Sequence, residues 1–268
     1  MSRFFPGVID YDGPMSANYR YGRALSTEAA RTWVQSVAPF VPAAKGARIV
    51  DLGSGTGRFS VVFAESLRAH VVGIEPSRRM LAAARNGSQV ANLAYVAAAA
   101  ERIPLMNESC DVAWLSHVWH HVRDREACVN ELRRILRRGG YVLVRGTFGD
   151  RLDGFPTMFH YWPATRDICQ QLPTVAETVS AFAAVGFVVH QHRRVRQITC
   201  DSLQEFAGRT KLRADTALAL ISERDFLQGQ RAIEKAASRA RVPEPVVETI
   251  EMLVFTRDDR GDERRPPT

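Results

Sequence analysis

Short apolar runs alternate with segments of helical periodicity along the first half of the chain. One run with β-branched residues ends at Gly53, in "ARIVDLG", and a second ends at Pro76, in "HVVGIEP". Between them, "RFSVVFAESLRA" repeats its apolar positions with the period of a helix packed on one face. The pattern predicts a strand, a helix and a second strand, which together make a βαβ unit.

The same alternation continues beyond this unit. "SRRMLAAARNG" predicts a helix closed by Gly87 as its C-cap, and "DREACVNELRRILRRGG" predicts another helix. Apolar runs around them predict three more strands, in "NLAYVAA", "CDVAWLSH" and "YVLVRGTF". Such alternation implies an α/β fold with a doubly wound, mostly parallel sheet covered by helices on both faces. We expect its ligand beyond the carboxyl ends of the strands.

Composition adds a broad class and a compartment. The chain has 268 residues, of which 46% are apolar and 24% charged, as expected for one large globular domain. No signal peptide is recognisable in "MSRFFPGVIDYDG", and no run of about 20 apolar residues occurs, so we expect a cytoplasmic protein without membrane contact. Four cysteines lack the spacing of a zinc site or a redox dithiol and are expected to be buried thiols: Cys110, Cys128, Cys169 and Cys200.

The formal net charge of +7 permits nucleic-acid binding. The densest basic stretch is "ELRRILRRGG", at residues 131–140. Its apolar residues Leu132, Ile135 and Leu136 have helical spacing, which favours a solvated outer face for the arginines over a phosphate-binding track. We therefore expect no nucleic-acid partner.

The first βα turn, "GSGTG", contains Gly53, Gly55 and Gly57. Missing side chains let a ligand lie against the backbone, although a tight turn that needs glycine only for its dihedral angles is the alternative. Arg58 stands where the dinucleotide fingerprint has its third glycine, and the loop has no lysine, so nicotinamide cofactors and nucleoside triphosphates are disfavoured. Asp51 and Glu75 end the first two strands, and an acid at the second position can bind ribose hydroxyls. A ligand with ribose but no phosphate fits this pattern.

Five stretches together resemble a known family. "VDLGSGTGRFS", "VVGIEPSRRML", "AAAAERIPL", "CDVAWLSHVWHHVRD" and "ELRRILRRGGYVLVRG" are similar, in order and spacing, to the motifs of class I S-adenosylmethionine-dependent methyltransferases. The branch that they resemble most contains small-molecule enzymes of the ubiquinone-biosynthesis type, also described as methyltransferase type 11. The resemblance is firm over residues 46–147 and loose elsewhere.

The resemblance implies a set of residues that bind S-adenosyl-L-methionine, whose product is S-adenosyl-L-homocysteine. The glycine turn would hold the methionine end, with Asp51 near its amino group, and Glu75 would bind the ribose. Met80 stands where an apolar side chain commonly covers the adenine, although a Met at this spacing is equally a core residue. The family usually has Asp where this chain has Ala99, so adenine recognition would use backbone groups near Ala100 and Glu101. The implied set is Asp51, Gly53, Ser54, Gly55, Gly57, Glu75, Pro76, Met80, Ala100, Glu101 and Ser116.

The resemblance also implies the elements and boundaries of the rest of the chain. It implies a Rossmann-like sheet of seven strands, with the sixth in "VVHQHRRVRQIT" and the last, antiparallel, in "VETIEMLVFTRD". "LPTVAETVSAFAAVGF" would be the helix before the sixth strand. We expect one domain over residues 1–256, with a helical N-terminal lid at 10–40, a cofactor-binding core at 46–147 and a disordered tail at 257–268. Two pocket insertions are expected, at 148–172 and at 202–243, where "SLQEFAG" and "LALISERDFLQGQRAIEKAASRA" predict amphipathic helices.

The candidate catalytic residues follow the fourth strand. Methyl transfer from a sulfonium needs an oriented acceptor and, for oxygen or nitrogen acceptors, removal of a proton. His121, followed by His120, is the candidate base, and in the phosphoethanolamine methyltransferases that the chain distantly resembles, a His in this segment works with an N-terminal Tyr. The alternative is that these histidines cap a helix or fill space beneath the lid. The candidate pocket residues are Tyr11, Tyr19, Tyr21, His117, His160, Tyr161 and Trp162; the last three are equally suited to anchoring the insertion.

The sequence therefore predicts methyl transfer to an O or N atom of a small-molecule acceptor, without a metal, by a monomer or homodimer. Two alternatives stay open. One is an RNA or protein methyltransferase, and the other is a protein that binds the cofactor without net methyl transfer.

Overall fold

The computed structural model describes residues 9–13, 15–43, 46–87 and 89–257. Within these residues, seven strands form one sheet in the order β3-β2-β1-β4-β5-β7-β6. Only β7 is antiparallel to its neighbours, β5 and β6. The predicted seven-stranded Rossmann-like sheet with an antiparallel last strand is confirmed. The strands are β1 (Arg48–Leu52), β2 (His70–Ile74), β3 (Leu93–Val96), β4 (Cys110–Ser116), β5 (Leu136–Gly146), β6 (Phe187–Cys200) and β7 (Val246–Arg257).

Helices surround the sheet and extend beyond the ends of its strands. Several begin at a side-chain cap; Thr174 and Glu177, for example, form a reciprocal capping box at the start of the eighth. The α-helices of the described residues are α1 (Met15–Gly22), α2 (Thr27–Val37), α3 (Arg58–Ser66), α4 (Arg78–Gly87), α5 (Arg125–Ile135), α6 (Pro156–Tyr161), α7 (Ala164–Gln170), α8 (Val175–Ala183), α9 (Leu203–Thr210), α10 (Thr216–Leu220) and α11 (Glu223–Arg239).

The sheet separates two apolar clusters. Alternate residues of β4 face opposite sides, so that Trp114 packs with Trp33 of α2 and Phe63 of α3, whereas Leu115 packs in the cluster that contains Leu132 of α5 and Phe182 of α8. Because helices cover both faces, the central strands have no polar alternation and appear in the sequence as continuous apolar runs. This layering leaves the carboxyl ends of the strands as the place where loops converge.

Two predicted helices have different bounds in the structure. The helix predicted across residues 124–140 ends at Ile135, and Leu136 begins β5, where it pairs with Cys110. Leu132, Ile135 and Leu136 are all buried, so their helical spacing could not reveal the change from helix to strand. The segment from Leu218 is not one helix either, because Ser222 caps a new helix, α11, by accepting from the Asp225 N–H.

Two arginines of the basic stretch, Arg134 and Arg137, form ion pairs with carboxylates. Arg134 donates to Glu131 and to the carbonyl oxygens of Ile103 and Leu105, so it joins α5 to the preceding loop. Arg137 lies on β5 and forms an ion pair with Asp111, with 2.7 Å between Nη1 and Oδ1. The basic stretch is therefore not one helical face, and these two arginines connect elements of the fold.

Three further expectations concern the thiols, the tail and membranes. All four cysteines are buried and free, as predicted. Arg257, the first residue of the expected tail, ends β7, and residues 258–268 of that tail lie outside the described residues. In the part of the chain that the structure describes, no helix is long and apolar enough to cross a membrane.

Candidate active site

The turn between β1 and α3 is built from glycines in left-handed conformations. Gly53, Gly55 and Gly57 have φ angles of +68°, +57° and +78°. A Cβ atom on Gly53 would collide with the Val118 side chain, and one on Gly57 would collide with the Tyr95 hydroxyl. Both the dihedral angles and the close approach therefore require glycine here. The turn lies at the carboxyl end of β1, where the sequence predicted a ligand.

Glu75 closes the other side of this turn. Its Oε2 accepts from the Gly55 N–H at 2.8 Å, and its Oε1 accepts from the Ser77 N–H at 2.9 Å. The side chain is buried, and this burial raises the pKa of the carboxyl, although the two backbone hydrogen bonds act in the opposite direction. Glu75 is thus fixed against the glycine turn at the position predicted for a ribose-binding acid.

Asp51 has a hydrogen-bond partner within the chain. It is buried at the end of β1, and its Oδ2 accepts from the Ser60 hydroxyl at 2.6 Å. Burial raises its pKa to about 6. Asp51 therefore joins β1 to α3 beneath the glycine turn.

The residues predicted around the adenine differ in their exposure and in their partners. Met80 is 1% exposed, whereas Pro76 lies on the surface. Ala100 is partly buried, and Ala99 is exposed. The Glu101 carboxylate accepts from the Arg123 and Asp124 N–H groups, just before α5 begins. The side chain of Glu101 is therefore occupied by the chain itself.

A short N-terminal segment, residues 9–13, lies beside Glu75. The Asp12 Oδ1 accepts from the Ser77 hydroxyl at 2.8 Å and from the Arg79 N–H at 3.0 Å, next to the start of α4. Ser77 also donates to the carbonyl oxygen of Tyr11. These contacts place the N-terminal segment across the edge of the site; sequence reasoning missed Asp12.

Tyr11 and His121 are joined by a hydrogen bond. The Tyr11 hydroxyl lies 2.9 Å from His121 Nε2, and the two rings meet edge to face with 5.3 Å between centroids. Burial lowers the pKa of His121 to about 4, and burial together with the neighbouring Tyr19 raises the pKa of Tyr11. Both groups are therefore neutral at pH 7, and the tautomer of the imidazole decides which of the two donates. The other candidate tyrosines differ: Tyr19 lies 6.1 Å from the Tyr11 ring, and Tyr21 is 72% exposed.

A cavity opens beside this pair, at the carboxyl ends of β4 and β5. It encloses about 990 Å³ of space not filled by protein, including the part open to solvent. Tyr11, Tyr19, His117 and His120 line one side. The apolar side chains of its lining come from the segments after β5 and after β6: Phe155, Met158, Ile168, Cys169, Leu172, Phe206, Ala214, Ala217 and Leu218.

Three predicted pocket residues lie elsewhere in the segment after β5. Trp162 is 1% exposed, and its indole N–H donates to the Phe226 carbonyl oxygen at 3.0 Å. Tyr161 stacks edge-on with His160, which is exposed. Tyr21 is also absent from the cavity lining. Trp162 thus anchors the insertion to α11, which was the alternative left open by the sequence.

Comparison with known proteins identifies the core of this site. The family of "Methyltransferase domain" proteins matches residues 50–144. A ubiquinone/menaquinone biosynthesis C-methyltransferase of Vibrio parahaemolyticus is 32% identical over 120 residues, covering 42% of this chain and 46% of that protein. An uncharacterised methyltransferase of Mycobacteroides abscessus is 31% identical over 132 residues, covering 46% and 49%. The chain spans about half the length of these curated relatives.

Over residues 50–144 the chain matches the family of methyltransferase domains, in agreement with the predicted class I S-adenosylmethionine-dependent type.

Solved structures extend the likeness in fold to most of the chain. A putative methyltransferase from an antibiotic biosynthesis pathway of Anabaena variabilis has a TM-score of 0.67 at 16% identity, covering 88% of this chain and 99% of that one. Phosphoethanolamine N-methyltransferase 2 of Haemonchus contortus, in complex with S-adenosylhomocysteine, has a TM-score of 0.59 at 17% identity, covering 95% and 62%. The [4+2]-cyclase SpnF has a TM-score of 0.60 at 18% identity, covering 88% and 84%. At these identities the likeness establishes the fold alone.

S-adenosylmethionine is the cofactor of this domain type, and the residues around the glycine turn fit it. Three buried polar atoms near the strand ends have no hydrogen-bond partner among the described residues: Ser54 Oγ, His117 Nε2 and Arg145 Nε. Buried polar groups are rarely left unsatisfied unless a ligand, water or ion completes them. His117 also has a φ of +54°, a strained conformation for a residue with a side chain.

Two arginines near the turn have no carboxylate within ion-pair distance among the described residues. Arg145 is 2% exposed, lies against the Trp33 ring, and donates to Ser116 Oγ and Gln197 Oε1. Arg58 begins α3 and donates to the Arg23 carbonyl oxygen. Burial lowers the pKa of Arg58 to about 10 and that of Arg145 well below its usual range. Unpaired cations of this kind suit an anionic group, and the cofactor's methionine end carries a carboxylate.

Sequence reasoning missed these two arginines and the charged residues that border the cavity. Arg58 served only as evidence against a nicotinamide site. Arg145 is a lone cation inside an apolar strand, "YVLVRG", which is a signal that was available. Arg23, Asp215 and Glu248 border the cavity from three distant segments, and no local pattern connects them. The described residues contain no group of three or more His, Cys, Asp or Glu suited to a metal ion.

Proposed function

We propose that the chain transfers a methyl group from S-adenosylmethionine to an oxygen or nitrogen atom of a small-molecule acceptor. The observation that carries the proposal is the position of the cavity. It borders Tyr11, His117 and His120 at the same edge of the sheet as the glycine turn after β1 and Glu75 after β2. The turn would hold the cofactor, which supplies the activated methyl group, and the cavity would hold the acceptor beside it.

The proposed cofactor contacts follow from the geometry of the turn. Glu75 would bind the ribose hydroxyls, and Gly53, Ser54, Gly55 and Gly57 would hold the methionine end. Ser116, which follows Leu115 at the end of β4, accepts from Arg145 and lies beside His117. Arg58 and Arg145 would bind the carboxylate. Met80 is available to the adenine as a buried apolar side chain, and backbone groups of Ala100 and Glu101 would supply the polar contacts.

The proposed roles of the acceptor-side residues depend on which of them reach the cavity. Tyr11 and His120 line the cavity. His121 is not among the lining residues, but it contacts Tyr11. We therefore place the Tyr11 hydroxyl and His120 against the acceptor, with His121 acting through Tyr11 as a positioning residue. Burial lowers the pKa of His120 well below 6.5, so its imidazole is neutral at pH 7 and free of the charge that would repel a sulfonium.

The division of the chain is part of the same proposal. Residues 1–256 would form one domain in which 10–40 act as a lid over a core at 46–147. Two insertions, at 148–172 and 202–243, would form the walls of the acceptor pocket. This arrangement is supported by the origin of the cavity's apolar lining, which comes from segments after β5 and β6.

Ligand binding and product analysis test the proposal. S-adenosylhomocysteine should raise the melting temperature of the protein, whereas NAD and ATP should not, because a ligand of the native state stabilises it by mass action. A screen of small acceptors with radiolabelled methyl donor should then yield a product whose NMR spectrum shows the methyl on O or N. Methylation on carbon, as the names of the curated relatives suggest, would support methyl transfer but contradict the proposed O or N acceptor atom. Labelling of RNA or protein alone would contradict the small-molecule proposal, and binding without labelling of any acceptor would contradict methyl transfer.

A further inference from the structure

We propose that the acceptor combines an apolar body with a hydrogen-bond-donating head, a hydroxyl or an amine, which Glu248 receives, and that the site rejects an anionic head. The inference rests on the proposed function and names the class of acceptor.

The apolar body is indicated by the cavity wall. Phe155, Met158 and Leu172 come from the segment between β5 and α8, and Phe206 and Leu218 come from the segment between β6 and β7. All five are at most 8% exposed, so the wall is a packed apolar surface. A ligand without apolar area would leave this wall against water, whereas an apolar body would cover it.

Glu248 supplies the acceptor of the head's hydrogen bond. It lies on β7, paired in register with Gln197 of β6, and borders the cavity next to Thr199. Its Oε2 accepts from the Thr199 hydroxyl at 2.8 Å. Among the described residues no arginine, lysine or histidine lies within ion-pair distance of it. Burial raises the pKa of the carboxyl, although Arg23, Thr199 and Arg145 act in the opposite direction. A partly buried carboxylate with only one hydroxyl partner is stabilised by a further donor.

The cations of the cavity lining already have partners. Arg23 Nη1 lies 2.9 Å from Asp215 Oδ2, and Arg209 Nη2 lies 2.6 Å from Glu205 Oε1. Both arginines are therefore matched by carboxylates, whereas Glu248 has no opposite charge within ion-pair distance among the residues that the structure describes. An anionic head placed beside Glu248 would add a second negative charge in a partly dehydrated site, where charge repulsion is strong.

The test compares three probes that share one body: 4-butylphenol, 4-butylaniline and 4-butylbenzoate. Binding to protein saturated with S-adenosylhomocysteine is measured by ligand-observed NMR at pH 7.5. The wild type should bind the phenol or the aniline about tenfold more tightly than the benzoate, which corresponds to one strong hydrogen bond gained or one repulsion avoided. In Glu248→Gln the preference should fall to about threefold or less, because the repulsion is removed and a weaker acceptor remains.

Glu251→Gln is the matched control, because Glu251 lies on the same strand but its carboxylate pairs with His192 and Arg194 outside the cavity. It should keep the preference of the wild type. The phenol and aniline arms show whether a hydroxyl or an amine is the better head.

Four outcomes would overturn the inference. These are benzoate binding as tightly as the other probes, no binding of any probe at millimolar concentration, an unchanged preference in Glu248→Gln, and loss of the preference in the control. If Glu248→Gln weakens binding of S-adenosylhomocysteine itself, Glu248 serves the cofactor and the inference also fails. Failure of the proposed function is distinct, since the wild type would then not bind S-adenosylhomocysteine or would transfer no methyl group.

Discussion

The hydroxyl of Tyr11 lies 2.9 Å from Nε2 of His121, although 110 positions separate the two residues in the chain. The bond joins a segment that also contacts the start of α4, through Asp12, to the loop after β4. One short stretch of chain therefore connects the proposed cofactor side of the site to its acceptor side. Substitution of Tyr11 or His121 can therefore test the hydrogen bond between them.

The first prediction concerns the energy that couples Tyr11 to His121. Tyr11→Phe and His121→Leu each remove the same hydrogen bond, so each should lower the free energy of unfolding by about 1 kcal/mol. The double variant should be destabilised by little more than either single one, leaving a coupling of about 1 kcal/mol in a double-mutant cycle. Urea unfolding of the four proteins measures it.

Tyr21→Phe is the control for this cycle, because Tyr21 is 72% exposed. Its effect on unfolding should stay within about 0.5 kcal/mol, as for most surface substitutions. Fully additive effects of Tyr11→Phe and His121→Leu would show that the bond does not form in solution.

The second prediction is a pH dependence of stability that comes from His121. Its folded-state pKa is about 4, against 6.5 for a free histidine, so the unfolded chain binds the proton more readily between these values. The stability contributed by the neutral ring is complete above pH 6.5 and is lost as the pH falls toward 4. The full effect is about 3 kcal/mol, at 1.36 kcal/mol for each unit of pKa.

His121→Gln isolates this titration, because His117 and His120, whose pKa values are also lowered by burial, remain in both proteins. The difference in unfolding free energy between wild type and variant should shift by about 3 kcal/mol from pH 7 to pH 4. A difference that is constant with pH would contradict the low pKa. If His121 affects turnover through Tyr11, the acidic limb of the rate profile should also lie near pH 4, not at the 6.5 of a free imidazole.

The fold was predictable because its signals are local. The glycine turn, the buried strands and their intervening helices each occupy a continuous segment, and the order of such segments restricts the sheet to few topologies. The boundary at Ile135 was not predictable, because a buried helix end and a buried strand start, such as Leu136, have the same apolar pattern. Ser222 carried a signal for a new helix, since Ser followed by Asp225 is a capping pattern, but the apolar spacing across it concealed the break.

The site was predictable where its residues belong to one motif, and the pair of Tyr11 and His121 followed from the family resemblance. Glu75 lies one strand after the glycine turn, so its position follows from the βαβ unit. Glu248, Asp215 and Arg23 come from three segments whose meeting depends on how the insertions pack, which no spacing encodes. His160 and Trp162 show the converse, because aromatic residues in a predicted insertion are as well suited to anchoring it as to lining a pocket.

The third prediction separates two acids near the proposed cofactor site. Glu75→Ala should weaken binding of S-adenosylhomocysteine by about 1.5–3 kcal/mol, because it removes a charged hydrogen-bond acceptor from the ribose site. Glu101→Ala should leave that affinity nearly unchanged, since the Glu101 carboxylate caps the backbone at Arg123 and Asp124. Isothermal titration calorimetry measures both. Equal losses in the two variants would indicate a general disturbance of the site, and no loss in Glu75→Ala would place the ribose elsewhere.

The last prediction concerns the arginines that lack carboxylate partners. If Arg58 binds the carboxylate of the cofactor, the wild type should prefer S-adenosylhomocysteine over its decarboxylated analogue by about 10–100-fold, the value of a charge-assisted hydrogen bond. Arg58→Gln should reduce this preference to a few-fold while binding the decarboxylated analogue as the wild type does. Arg145 is less suitable for substitution, because its packing against Trp33 would be lost together with its charge. Arg102→Gln, at an exposed position in the loop before β4, is the control for a change in net charge. A preference that survives Arg58→Gln would assign the carboxylate to Arg145 or Arg23, and a wild type without any preference would remove the arginines from the cofactor site.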